Sequence, residues 1–218
     1  MLIFVRNFIK KGIIIGNKSD QDALELILKK TFFGLREDVK ILYTYASPIN
    51  SCYTKSRPVN IFDKLETIFL DSNQNHVVMG DLNGKTKGED DFVRDNFDKH
   101  SPINTSYYEK GLHMHAMRSN RDTHPVDEQG RKIIDLCKSS ALRILNGRTQ
   151  GDMNGNFTRY PKRLNENPST IDYALCSTDL LRDINTFTVL PFTALSDHCC
   201  ISLNIKVKTA SLTAVIPW

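Results

Sequence analysis

The chain has 218 residues, 40% of them hydrophobic and 25% charged, with a formal net charge of +4. That length suits one large domain or two small ones with a sizeable core, and the mild positive charge permits a polyanionic partner without a basic block that would announce one. Five cysteines (Cys52, Cys137, Cys176, Cys199 and Cys200) show neither CxxC nor Cys/His spacing, which argues against a zinc site and a disulfide framework and suits a reducing compartment.

The N-terminal apolar run is too short for a signal peptide, and no run reaches membrane-spanning length. The chain enters directly in strand-like sequence, as if partway through a sheet. Short β-branched or alternating segments at residues 2–5, 12–15, 23–28 and 39–47 predict strands. Residues 23–28 also tolerate a helix. Arg57-Pro58 opens a helix to about Leu70, with Ile61, Leu65, Ile68 and Phe69 on its apolar face. Val77-Val78-Met79 reads as a buried central strand ending at Gly80.

Residues 84–124 are polar and weakly periodic, which predicts a long surface excursion with one helix near residues 91–96. Residues 129–141 form a helix with Ile133, Leu136, Cys137 and Ser140 on one face. Strands follow at residues 142–145, 157–160, 170–177, 185–190 and 199–207. Cys137 and Cys176 sit in apolar runs as core residues. There is no repeat or linker. The pattern is one α/β or α+β domain over residues 1–207 with a large, mostly antiparallel sheet system, followed by a tail at residues 208–218.

Three strings carry the chemistry: Gly80-Asp81-Leu82-Asn83, Ile171-Asp172-Tyr173 and Ser196-Asp197-His198. Asp81 leaves the carboxyl end of a buried strand, where it can bind a metal or orient water, and the Asn83 amide can donate to a phosphate oxygen. A Gly-Asp turn closed by its own side chain explains the same string. Asp172 lies inside an apolar strand, where a carboxylate needs a partner; an imidazole is the natural one, and a water-facing sheet edge is the plainer reading. His198 is the strongest candidate for a general base, against the plainer reading of a structural histidine. Arg118 and Arg121 can touch phosphate or remain solvated. His113 and His115 alternate as metal-binding histidines do, but a solvated loop accounts for them. His76, His100 and His124 have no evident partner.

In this order the strings resemble the endonuclease/exonuclease/phosphatase superfamily, and most closely the endonuclease domains of LINE-type (non-LTR) retrotransposons. Phe4-Val5-Arg6-Asn7, Tyr45-Ala46-Ser47-Pro48, Ile134-Asp135-Leu136-Cys137 and Leu145-Asn146-Gly147-Arg148-Thr149 extend the likeness along nearly the whole chain. The resemblance implies a four-layer α/β/β/α sandwich and Mg²⁺-assisted hydrolysis of a phosphodiester, with Mn²⁺ as an alternative ion. DNA is the implied substrate, in the nucleus if genomic DNA is cut, with neither a membrane nor a small-molecule cofactor. It implies that Asp81 orients or helps activate the attacking water, Asn83 stabilises the transition state, and His198 contacts the phosphate or acts in proton transfer with Asp172 as its partner. Asp197 would assist in binding or positioning the metal, and Tyr45 would touch phosphate, with a half-buried strand tyrosine as the plainer reading.

The chain departs from that family at its start. The N-terminal strand ending in Asn and the later strand ending in Glu, the principal metal ligand, do not occur. The fold is therefore expected without its N-terminal strands, and metal binding and activity are expected to be impaired. A catalytically inactive remnant is the alternative, and a phosphoesterase acting on a small-molecule or lipid phosphate is a third reading. The reverse transcriptase that follows in LINE proteins does not occur in this sequence. Cys200 stands where Pro is usual, and Gly84 where Ala is frequent.

Overall fold

The structure is a computed structural model describing residues 3–17, 19–55, 59–70, 75–93, 117–163 and 166–208. Its centre is a six-stranded sheet of β1 (Ile13–Ile15), β2 (Ala23–Leu28), β3 (Val39–Tyr45), β4 (Asn75–Asp81), β5 (Leu142–Ile144) and β6 (Asp172–Ser177), in the order β1-β2-β3-β4-β6-β5. β3 and β4 run parallel, and the other pairs run antiparallel. A single turn, α1 (Lys30–Phe33), joins β2 to β3, and the chain between β3 and β4 carries the short α2 (Cys52–Lys55) and then α3 (Ile61–Leu70), as a parallel crossover requires. β7 (Ile184–Val189) and β8 (Ile201–Ile205) form a separate antiparallel pair.

Strand alternation sorts the side chains between two cores. Leu42, Val78, Tyr173 and Leu175 face α3 and α4 (Glu128–Ser139), where they meet Leu65, Ile68, Ile133, Leu136 and Cys137. Ile41, Val77, Met79, Ala174 and Cys176 face the other way, against Leu180, Ile184, Phe187 and the half-buried Ile201, Leu203 and Ile205 of β8. Truncating a fully buried leucine such as Leu175 would cost about 2–5 kcal/mol. The described residues thus supply a helical layer, a large sheet and a smaller one.

Helix starts follow local chemistry. Asn60 Oδ1 accepts from the Phe62 amide at 2.9 Å, and Phe62 joins the buried face of α3. Asp127 caps α4 by accepting from Gly130 at 2.7 Å, and the same Oδ1 accepts from the Lys85 amide at 3.0 Å. This cap fastens the loop that follows β4 to the helix. An added Cβ on Gly84 would lie 2.5 Å from the Gly130 amide nitrogen, so α4 packs directly on this glycine.

Several expectations change. Residues 3–5 form no strand and Phe4 is 88% exposed, because no described neighbour offers them a ladder; residue 2 lies outside the described residues. Residues 157–160 make only isolated bridges from Arg159. Residues 91–93 are not helical, and residues 94–96 lie outside the described residues, as do Arg57, Pro58, His100, His113, His115 and residues 209–218 of the expected tail. The polar stretch is not wholly a surface excursion. Thr86, Asp91, Arg118 and Asp122 are buried, with Asp91 Oδ1 accepting from Arg148 Nη2 at 2.7 Å and Asp91 Oδ2 from the Ile144 amide at 2.6 Å. Cys137 and Cys176 are buried as expected, all five cysteines are free thiols, and no described helix is long and apolar enough to cross a membrane.

Gly80 is where this packing tolerates least. Its φ is +144°, and an added Cβ would stand 2.0 Å from the Thr44 carbonyl oxygen of the adjacent β3. Gly80→Ala is expected to destabilise the protein by about 3 kcal/mol. Urea unfolding monitored by circular dichroism checks this; an unchanged midpoint would show that β3 and β4 can separate without penalty.

Candidate active site

Register brings the site together. Tyr45 pairs with Asp81 across β3 and β4, and Asp81 pairs with Asp172 across β4 and β6. The three side chains therefore form a row on one face at one end of the sheet. That face is continuous with Met79 and Ala174, the side covered by β7 and β8. His198 lies just before β8, so the smaller sheet delivers the imidazole to the row. Its Nδ1 stands 3.1 and 3.0 Å from the two Asp172 carboxylate oxygens. Asp81, Asp172 and His198 each offer a donor atom within 4.8 Å of the others.

Other side chains hold Asp172 in place. Thr158 Oγ1 accepts from the Ile171 and Asp172 amides, both at 3.0 Å. Asn146 Nδ2 donates to the Asp172 carbonyl at 3.1 Å, and its Oδ1 accepts from the Ala174 amide at 3.2 Å. Asp122 Oδ2 accepts from the Thr170 amide at 2.8 Å, while its Oδ1 receives His124 through the main chain at 2.9 Å and lies 2.6 Å from the ring Nδ1. Tyr173, fully buried, lies with its hydroxyl 2.7 Å from the Thr170 carbonyl and 2.8 Å from that of Gly84. None of these four residues emerged from the sequence as part of the site. Their signal was weak: Asn146 and Tyr173 stood within strings quoted for the family likeness, but no rule says that a side chain fastens a strand 26 or more positions away.

Asn83 has a left-handed backbone, with φ +48°. Its amide donates to Asp81 Oδ1 at 3.0 Å, and its Nδ2 donates to Asp81 Oδ2 at 3.0 Å and to the Ala46 carbonyl at 2.9 Å. The Asx-type turn weighed as the plainer reading is thus present, and it fixes Asp81 instead of competing with it. Both Nδ2 hydrogens are engaged with protein in this geometry.

Asp197 sits outside the three-residue group, with Oδ2 accepting from Arg159 Nε at 3.2 Å. Arg118 is buried and donates to Thr86 Oγ1 at 2.8 Å and to the Thr86 carbonyl at 3.2 Å. Arg121 lies at the surface over the Phe157 ring at 5.4 Å and donates to Asn156. Neither arginine belongs to the Asp81 group. His76 is buried against Phe69, and His124 is paired with Asp122.

Electrostatics follow from this crowding. Burial, then the neighbouring Asp172 charge, pushes the Asp81 carboxyl up to about 6, against the Asn83 amide, His198 and Arg159, which pull it down. The hydrogen bond to Asp172 holds the His198 imidazolium above its ordinary range despite partial burial. Slight burial works against Asp197, but its own amide and the Arg159 side chain keep its carboxyl below the usual range. Two carboxylates meeting at one spot, one of them held reluctantly as an anion, suit a hard divalent cation, which takes one or two carboxylates and completes its shell with water or phosphate. Asp81 and Asp172 would be its oxygen donors, with His198 beside them.

The raised Asp81 carboxyl has a defined sign. Stability associated with it is full below pH 3.8 and is lost as pH rises through about 6. In EDTA, Asp81→Asn is therefore expected to be more stable than the parent at pH 8, by about 1 kcal/mol after discounting for solvent screening, with the gap closing as pH falls through 6. For His198 the linked stability is full below 6.5 and is lost above that, as pH rises through its raised value. Thermal melts across pH, and an NMR titration of His198 beside Asp172→Asn, check both. A parent more stable than Asp81→Asn at pH 8 would contradict the crowding argument.

No family model matches the sequence, and no curated protein matches it. Solved structures do. The chain is similar to the endonuclease domain of TRAS1, a telomere-specific non-LTR retrotransposon, with a TM-score of 0.57 and 14% identity, covering 90% of this chain and 69% of that one. It is similar to the AP endonuclease LMAP from Leishmania major, with a TM-score of 0.54 and 13% identity over 84% of this chain and 54% of that one. A third similar structure is the 3' phosphatase NExo from Neisseria bound to a product DNA hairpin, with a TM-score of 0.50 and 12% identity over 89% of this chain and 70% of that one. Identities this low speak for the fold alone. Together with the mixed sheet and its helical layer, they establish that this chain has the α/β fold of the endonuclease/exonuclease/phosphatase type, the fold of LINE retrotransposon endonucleases and AP endonucleases.

Proposed function

We propose that the chain is a metal-dependent phosphodiester hydrolase acting on DNA, an endonuclease domain of LINE-type origin. The observation that carries this reading is the Asp172–His198 pair standing beside Asp81 at the end of adjacent strands. Support for DNA comes from similar proteins described as a retrotransposon endonuclease, an AP endonuclease and a phosphatase bound to a DNA hairpin. A bound Mg²⁺ or Mn²⁺ would supply positive charge opposite the developing charge on phosphate.

The protein groups divide the remaining work. His198 commits Nδ1 to Asp172, which leaves Nε2 to donate to a phosphate oxygen or pass on a proton. Asp81, aimed by Asn83, can orient the attacking water or accept its proton through an oxygen that the metal does not use. Asn83 keeps both Asp81 oxygens aimed, and a donor role toward the transition state requires its side chain to leave Ala46 or Asp81. Tyr45, 42% exposed at the end of the same row, can offer its hydroxyl to phosphate. Asp197 reaches a metal only by loosening its hold on Arg159. Arg121 can meet the backbone at the surface, whereas Arg118 acts through the loop it holds.

A catalytically inactive remnant is the competing reading. It is favoured by a donor group that contains, among the described residues, two carboxylates and an imidazole but not the glutamate implied by the resemblance. Conversion of supercoiled plasmid to open circle separates the two. Under the proposal, nicking requires Mg²⁺ or Mn²⁺, stops in EDTA, and falls about 10²–10⁴-fold in His198→Ala. Asp172→Asn is also expected to lose activity, because it releases the imidazole from its orientation and removes one carboxylate donor from the metal. A folded protein that leaves the plasmid intact supports the remnant. Turnover of a lipid or small-molecule phosphate in preference to DNA would redirect the substrate class.

A further inference from the structure

Arg159 is held beside His198 by main-chain bonds on both of its sides. Its main chain exchanges both hydrogen bonds with Ser169, at 2.9 and 3.0 Å. On its other side it bridges His198 in an antiparallel pair flanked by Tyr160 N–H to the Asp197 carbonyl and Cys199 N–H to the Thr158 carbonyl, both at 2.7 Å. This is the non-hydrogen-bonded kind of pair, in which opposed side chains point the same way and approach most closely. Arg159 and His198 therefore share a face.

The guanidinium is also aimed. Nε donates to Asp197 Oδ2 at 3.2 Å, and Nη2 reaches Glu166 Oε2 at 3.5 Å. The Arg159 side chain remains 31% exposed, and its bonds to the two carboxylates engage Nε and Nη2. Asp197 and Glu166 contact it, and the Arg159 charge acts on Asp81 as well as Asp197. A site this acidic repels a polyanion unless a cation receives it. Guanidinium is the side chain best matched to phosphate geometry.

We propose that Arg159 is a phosphate-contacting residue of this site, held by Asp197 and Glu166 so that its remaining N–H groups meet a nonbridging backbone oxygen beside His198. The inference rests on the reading of the site as one that binds a DNA phosphodiester, and it adds a residue to which neither the motifs nor the family likeness assigned a role. Asp197 then acts as the counter-charge that aims Arg159.

Fluorescence anisotropy with a short labelled duplex in EDTA, over a series of salt concentrations, tests this without turnover. Arg159→Ala is expected to bind about tenfold more weakly and to lower the salt dependence by about one phosphate contact. Arg159→Lys should recover part of the affinity. Arg163→Ala, an exposed neighbour that also contacts Glu166, should change binding far less. A thermal melt of each variant reports folding, and Arg159→Gln, which can still donate to Asp197, carries the same expectation if Arg159→Ala unfolds. Parent-like affinity and salt slope in a folded Arg159 variant would overturn the assignment and leave the reading of the site standing. A folded parent that binds no duplex would overturn both.

Discussion

Two carboxylates face each other across β4 and β6, and much of the molecule is arranged around that conflict. Asp81 and Asp172 are register partners at a strand end, where burial and the neighbouring Asp172 charge both oppose ionisation of Asp81. The protein relieves this from outside the sheet. Asn83 donates twice to Asp81, and His198 meets both oxygens of Asp172. A sheet optimised for stability alone would place an apolar pair there. Retaining two carboxylates is the local violation of folding rules that marks functional sites.

Holding those carboxylates still requires a rigid support, and the support comes from distant parts of the chain. Asp127 ties the loop after β4 to α4, and Gly84 allows that helix to press against the loop. Asn146 and Thr158 grip the main chain on either side of Asp172, and Asp122 accepts from Thr170 just before it. These bonds are buried, where an unmet polar group would be costly, so they fix geometry as well as add stability. The polar stretch after β4 is thus partly interior. Asp91 pairs with Arg148 and closes the strand edge at Ile144, and Arg118 donates to Thr86.

Charge balance at the mouth depends on Arg159 and His198. Each sits opposite a carboxylate, and their main chains are bridged to each other. The acidic group is therefore set against a guanidinium and an imidazole on one face. That arrangement suits a ligand carrying negative charge of its own, with a metal ion between it and the carboxylates. Similarity of fold to DNA-processing enzymes agrees with this chemistry, while the pairing of Arg159 with Asp197 belongs to this chain's own geometry.

Most of the strands along the chain, the two main helices and the strings around Asp81, Asp172 and His198 were legible in the sequence by itself, because local periodicity and strand-end carboxylates leave marks within a few residues. Asp172 inside an apolar strand even signalled that it needed an imidazole partner, and His198 is that partner. What local pattern could not determine was which residues lie opposite one another. The Tyr45–Asp81–Asp172 row depends on β-register, the Arg159–His198 bridge on residues 39 positions apart, and the burial of Asp91, Arg118 and Asp122 on a loop folding inward. The apolar residues 3–5 failed as a strand for the same reason: a strand exists only where another supplies its hydrogen bonds, and that is decided by tertiary structure.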